Sequence, residues 1–197
     1  MSDRTLNDFS PPERVVPHRV FFALWPSVEA AGALLKQTAS LPWSTGSRRY
    51  PRQDLHLTLH FLGNIRDELL VELRRQPPVP FDPFELAFET VVPWPGDLRV
   101  AVPIRVPPEL LMLRERIGLG LSRLGFTSDP RPFVPHVTLA RRCGGMSLSR
   151  SDSPGWSIDP VPWSVTEYLL VVSRGEAPER YVPLERYACA ASGAIQS

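Results

Sequence analysis

The chain has 197 residues, 43% hydrophobic and 22% charged, with a net charge of +1, enough for one domain or two small lobes sharing a core without covalent staples. That charge balance excludes a broad cationic surface for tracking long nucleic acids, while a nucleic-acid end or a small phosphate ester stays compatible. Cys143 and Cys189 are too few for a disulfide framework or a zinc site, and no run reaches the ~18 consecutive apolar residues of a membrane helix.

Residues 1–17 carry Asp, Glu, Ser and Pro and no apolar signal core, so they are expected to be a flexible leader, and His18 is read as part of it. A soluble, cytoplasmic monomer is the expectation. The apolar run 20–24 predicts a buried strand. Pro26 opens a helix with Val28, Ala31, Leu34 and Leu35 near helical spacing, and Pro42 and Gly46 mark its exit. Residues 55–61 alternate strictly, which predicts a half-buried strand. Leu55, Leu57, Leu59 and Phe61 face the core; His56, Thr58 and His60 share the other side, and Gly63-Asn64 ends the strand.

A short helix is predicted over 67–75, strands over 84–92 and 98–104, and a turn over 93–97. Residues 109–124 form the clearest helix, with Leu110, Leu113, Ile117 and Leu121 recurring at three or four residues and Gly125 just past its end. Residues 133–140 read as a strand with Val137 and Leu139 inward and His136, Thr138 and Ala140 outward. Residues 144–162, rich in Ser, Gly, Pro and Asp, are expected to be a long surface loop. Residues 163–173 read as one β-rich run, and 191–197 as a frayed tail.

A shift of 80 residues lays Arg19-Val20 on Arg99-Val100, Glu29 on Glu109, and His56-Leu57-Thr58-Leu59 on His136-Val137-Thr138-Leu139. Each copy is a strand, a proline-started helix and a histidine strand, an internal pseudo-repeat over about 19–63 and 99–143. Two such lobes packed about a pseudo-twofold axis would bring both histidines and both threonines to one groove. Two imidazoles, each with an ordinary pKa near 6.5, can serve as acid and base on opposite sides of a phosphorus atom. The two threonine hydroxyls can donate to its non-bridging oxygens. Singly, His-x-Thr-Leu is close to noise, and threonine is at home in any strand; the paired placement carries the signal.

Three segments then resemble the two-histidine (2H) phosphoesterase superfamily, in its branch of RNA 2′,3′-cyclic phosphodiesterases once called 2′-5′ RNA ligases. They are Arg19-Val20-Phe21-Phe22-Ala23-Leu24-Trp25-Pro26, the stretch from Leu55 through His56 and Thr58 to Gly63, and Pro135-His136-Val137-Thr138-Leu139-Ala140-Arg141. The Ser173 and Tyr181 region resembles the family's closing strand pair. The resemblance implies an α+β, bilobal fold: two pseudo-symmetric lobes of antiparallel sheet lining a central groove, with helices outside, over 18–190. It also implies hydrolysis of RNA 2′,3′-cyclic phosphate ends to 2′-phosphates without metal or cofactor, with reversal as 2′-5′ ligation. On the family's pattern His56 is the proton donor, His136 the proton acceptor, and Arg141 a phosphate-binding arginine. By strand alternation Arg141 would point away from His136, and Arg142 is its rival. The chain departs from the family at Pro178-Glu179-Arg180, where several members carry glycine.

A zinc site on His56 and His60 is rejected, because four strand residues separate them by roughly 13 Å. A module that binds RNA or nucleotide ends without turnover, and a phosphodiesterase for another small cyclic phosphate, stay open. Tyr50 and Phe133 are candidate base platforms, with core packing the alternative for Phe133.

Overall fold

The computed structural model describes residues 18–127, 129–143, 155–175 and 179–190. In chain order these form β1 (His18–Leu24), α1 (Val28–Gln37), β2 (Arg48–Arg49), a 3-10 turn (Arg52–Asp54), β3 (Leu57–Ile65) and α2 (Asp67–Arg75). Then come β4 (Phe84–Trp94), β5 (Leu98–Pro103), α3 (Pro108–Arg123), β6 (Val137–Arg141), β7 (Trp156–Val165), β8 (Glu167–Ser173) and β9 (Tyr181–Ala188). The fold is α+β, as expected.

The strands pair antiparallel in the order β7-β4-β5-β6-β3-β1-β8-β9, with β2 added to β6. At the centre β3 meets β6 through Leu57 opposite Val137. Outward from that pair the order is symmetric, β5 matching β1, β4 matching β8, and β7 matching β9. The two lobes are thus halves of one sheet joined at a narrow waist. Each lobe also borrows from the other half of the chain: β4 lies between β5 and β7, and β8 lies between β1 and β9.

The helices form where predicted, with local reasons. Ser27, not Pro26, caps α1, its hydroxyl accepting from the Ala30 N–H at 3.1 Å. Pro108 occupies the first turn of α3, where its missing N–H costs nothing. Gly125 ends α3 at φ +83°, and the Phe126 and Gly125 N–H groups return to the Leu121 and Ser122 carbonyls, a Schellman closure. Ala31 and Leu34 of α1 and Leu110, Leu113, Ile117 and Leu121 of α3 join Val20, Phe22, Leu57 and Val137 in one apolar core.

Five expectations need correction. His18 is not leader: it starts β1, and its Nε2 lies 2.6 Å from Asp67 Oδ1. Gly63 and Asn64 do not end β3, because the ladder continues to Ile65 past an extra residue at Leu62, with Gly63 at φ +75°. The strand expected from residue 133 starts at Val137. Residues 156–162 are strand, not loop; β7 pairs with β4, buries Val161, Trp163 and Val165, and tolerates Pro160 and Pro162 as an edge strand does. The run 163–173 is split at Thr166 between β7 and β8, which lie on opposite flanks of the sheet. The leader, residues 144–154 of the expected loop and the tail lie outside the described residues.

Candidate active site

Leu57 and Val137 are both fully buried against the helices, so alternation turns His56 and Thr58, and His136 and Thr138, to the opposite face of the waist. The antiparallel register about this pair sets His56 toward Thr138 and Thr58 toward His136. All four sequence-predicted residues therefore converge around one point, from two strands 80 residues apart in the chain.

The two imidazoles are anchored alike. His56 Nδ1 donates to the Asp54 carbonyl at 2.7 Å, and His136 Nδ1 donates to the Val134 carbonyl at 2.8 Å. A carbonyl only accepts, so Nδ1 carries the proton in both rings. Their covers differ. Trp25 stacks on His56 at 4.9 Å and 14°, with Phe21 at 5.1 Å and Tyr181 edge-on at 4.8 Å. Trp94 covers His136 at 4.4 Å. Burial pushes the His56 imidazole from 6.5 down to about 4, opposed by its bond to the Asp54 carbonyl and assisted by the positive charges of Arg180 and His136.

A matched pair of β-bulges decides the positions beyond the threonines. Ala23 faces Thr58 and Phe22 faces His60, so Leu59 is an extra residue in β3. Val100 faces Thr138 and Arg99 faces Ala140, so Leu139 is the extra residue in β6. Each bulge resets the alternation by one. His60 is thereby removed from the groove, correcting the expectation that it shares a face with His56. It turns to α3, where its Nε2 donates to the Arg114 carbonyl at 2.7 Å. Phe61, expected in the core, is instead 56% exposed at the groove. In β6 the same reset brings Arg141 to the face of Thr138. Arg142 takes φ +56° as the strand ends.

Beside His56 opens a cavity of about 240 Å³, lined by Arg19, Thr58, Phe61, Ser173, Arg180 and Tyr181 among others. Trp25, Trp94, Arg180 and Tyr181 were not singled out as site residues from sequence. Trp25 had a signal, since it continues the alternation of Phe21 and Ala23 past the end of β1; Arg180 and Tyr181 had little, because only the pairing of Tyr181 with Ser173 brings them to the groove. Tyr50 lies under the Arg180 guanidinium at 5.1 Å, whereas Phe133 carries the Arg114 guanidinium at 4.4 Å and packs on the core. Among the described residues no group of three His, Cys, Asp or Glu side chains is placed to hold a metal ion, and no helix is long and apolar enough to cross a membrane.

Comparison with known proteins gives a consistent result. The family model described as the 2′-5′ RNA ligase superfamily matches residues 24–150. The RNA 2′,3′-cyclic phosphodiesterase of Escherichia coli K12 is 31% identical over 182 residues, covering 87% of this chain and 97% of that protein. The protein of the same name from Archaeoglobus fulgidus is 32% identical over 117 residues, 57% of this chain and 64% of its own length. The crystal structure of E. coli LigT complexed with 3′-AMP superposes with a TM-score of 0.75 at 26% identity, covering 89% of this chain and 99% of that one.

Proposed function

This chain belongs to the 2′-5′ RNA ligase superfamily, and from that premise we propose that it hydrolyses RNA 2′,3′-cyclic phosphate ends to 2′-phosphomonoesters, with His56 as proton donor and His136 as proton acceptor. The convergence of the two His-x-Thr pairs on one face of the waist carries this reading. His136 Nε2 takes a proton from water as its oxygen bonds to phosphorus. The bond from phosphorus to the 3′ oxygen breaks, and His56 Nε2–H delivers a proton to that oxygen. The products are a 2′-phosphate and a 3′-hydroxyl.

Thr58 and Thr138 donate to the non-bridging oxygens, and Arg141 balances their charge. Burial favours the neutral form of His56, and the phosphate anion offsets the burial cost of its protonated form. With a 5′-hydroxyl in place of water, the same two transfers form a 2′-5′ linkage. Neither proton transfer calls on a metal or cofactor. The RNA end is the partner, bound by a single chain, and the unpaired thiols of Cys143 and Cys189 suit a reducing cytoplasm.

The experiment is phosphorus NMR of a 2′,3′-cyclic nucleotide incubated with pure protein in EDTA. A 2′-phosphate product is expected, and His56→Ala or His136→Ala should each lower turnover by about 10²–10⁴ with little change in Tm. A 3′-phosphate product, or no product from folded wild type, would refute the assignment.

A further inference from the structure

Arg180 is placed at the groove by the base of the β8–β9 connection. Its carbonyl accepts from the Arg174 N–H at 2.8 Å, and Tyr181 next to it pairs with Ser173. The guanidinium lies 5.1 Å from the centre of the Tyr50 ring and 5.2 Å from that of Tyr181. Two rings therefore hold it in place without using its N–H donors. Tyr181 in turn stands edge-on to His56.

Arg180 Nε is buried and has no hydrogen-bond partner among the described residues, an arrangement that costs stability unless something else accepts from it. Asp54 feels the positive charge of Arg180, yet among the described residues the two form no ion pair. Among the described residues no carboxylate lines the cavity that Arg180 shares with His56, Thr58 and Ser173, whereas Arg19 adds a second guanidinium. Two guanidiniums, the hydroxyls of Thr58, Ser173 and Tyr181, and no acid among the described lining residues suit an anion.

We propose that Arg180 is a phosphate-binding residue of this site, presenting its guanidinium on the His56 side to a phosphate of the RNA end. The assignment rests on the proposed function and adds to it a contact from outside the two His-x-Thr repeats. Its charge also opposes the imidazolium form of His56, so losing it alters proton affinity as well as phosphate affinity. Among the described residues, the other charged or titratable groups around His56 are Asp54, His136, Tyr181, Tyr50 and Arg19.

The test is calorimetric titration of 2′-AMP, the product of the model reaction, and of uncharged adenosine. The proteins are wild type, Arg180→Gln, Arg180→Lys and, as a control, Arg186→Gln on the exposed part of β9. Arg180→Gln should weaken 2′-AMP about 10- to 100-fold and leave adenosine within about twofold. Arg180→Lys should recover part of the loss, and Arg186→Gln should match wild type. NMR titration should show the His56 pKa rising in Arg180→Gln. Unchanged 2′-AMP affinity in Arg180→Gln, or equal losses for 2′-AMP and adenosine, would overturn the assignment. Turnover of 2′,3′-cyclic AMP by wild type, measured on the same samples, separates failure of this contact from failure of the proposed function.

Discussion

Replacing Trp25 with alanine tests whether burial holds His56 neutral. The imidazole sits at about 4 instead of 6.5, a depression worth about 3 kcal/mol. Three rings produce the burial, and Trp25, stacked at 4.9 Å, covers one whole face. Opening that face should return the pKa by about one unit, or about 1.4 kcal/mol. The sign for stability follows from proton counting. Above pH 6.5 His56 is neutral both folded and unfolded and contributes nothing. Between 6.5 and about 4 the unfolded chain binds a proton that the folded chain refuses, so stability falls as the solution is acidified. Trp25→Ala should therefore be less stable than wild type at pH 7.5 through lost packing, with the gap narrowing by about 1 kcal/mol toward pH 4.5. The assay is NMR titration of the His56 ring alongside urea unfolding at both pH values; titrations common to both proteins cancel in the difference. An unmoved pKa, or a gap independent of pH, would refute the burial argument.

Two other substitutions separate framework from chemistry. His60→Ala should cost about 1–2 kcal/mol in urea unfolding by freeing the Arg114 carbonyl, with kcat/KM per folded molecule within about twofold; abolished turnover at unchanged stability would return His60 to the site. Leu57→Ala, at the waist, and Leu86→Ala, remote in β4, are both buried and should each cost about 2–5 kcal/mol. Only Leu57→Ala should also reduce turnover of the folded protein, because it alone loosens the spacing of the histidines; equal effects of the two on turnover would count against the waist.

Much of the site was legible because its signal is local: His and Thr two residues apart on a strand must share a face, and the 80-residue repeat places the second pair beside the first. The bulges at Leu59 and Leu139 were not legible. An extra residue leaves the apolar alternation intact in the sequence and shows only in the partner strand's register. Hence Arg141 pointed the wrong way on paper, and His60 looked like a neighbour of the groove. The strand at 156–162 was hidden by its two prolines, which are acceptable only because β7 is an edge, a property set by tertiary neighbours. Arg180 and Tyr181 reach the site through long-range pairing of β9, which no local pattern encodes.

The exchange of β4 and β8 between lobes bears on how the molecule withstands damage. The loop joining β4 to β5 is exposed at Pro95, Gly96 and Asp97 and is an accessible place for a protease to cut. A single cleavage there would leave the N-terminal piece with β4 wedged between two strands of the C-terminal piece, while β8 of that second piece remains clasped to β1. The nicked pieces are interlocked, so they should migrate together until denatured.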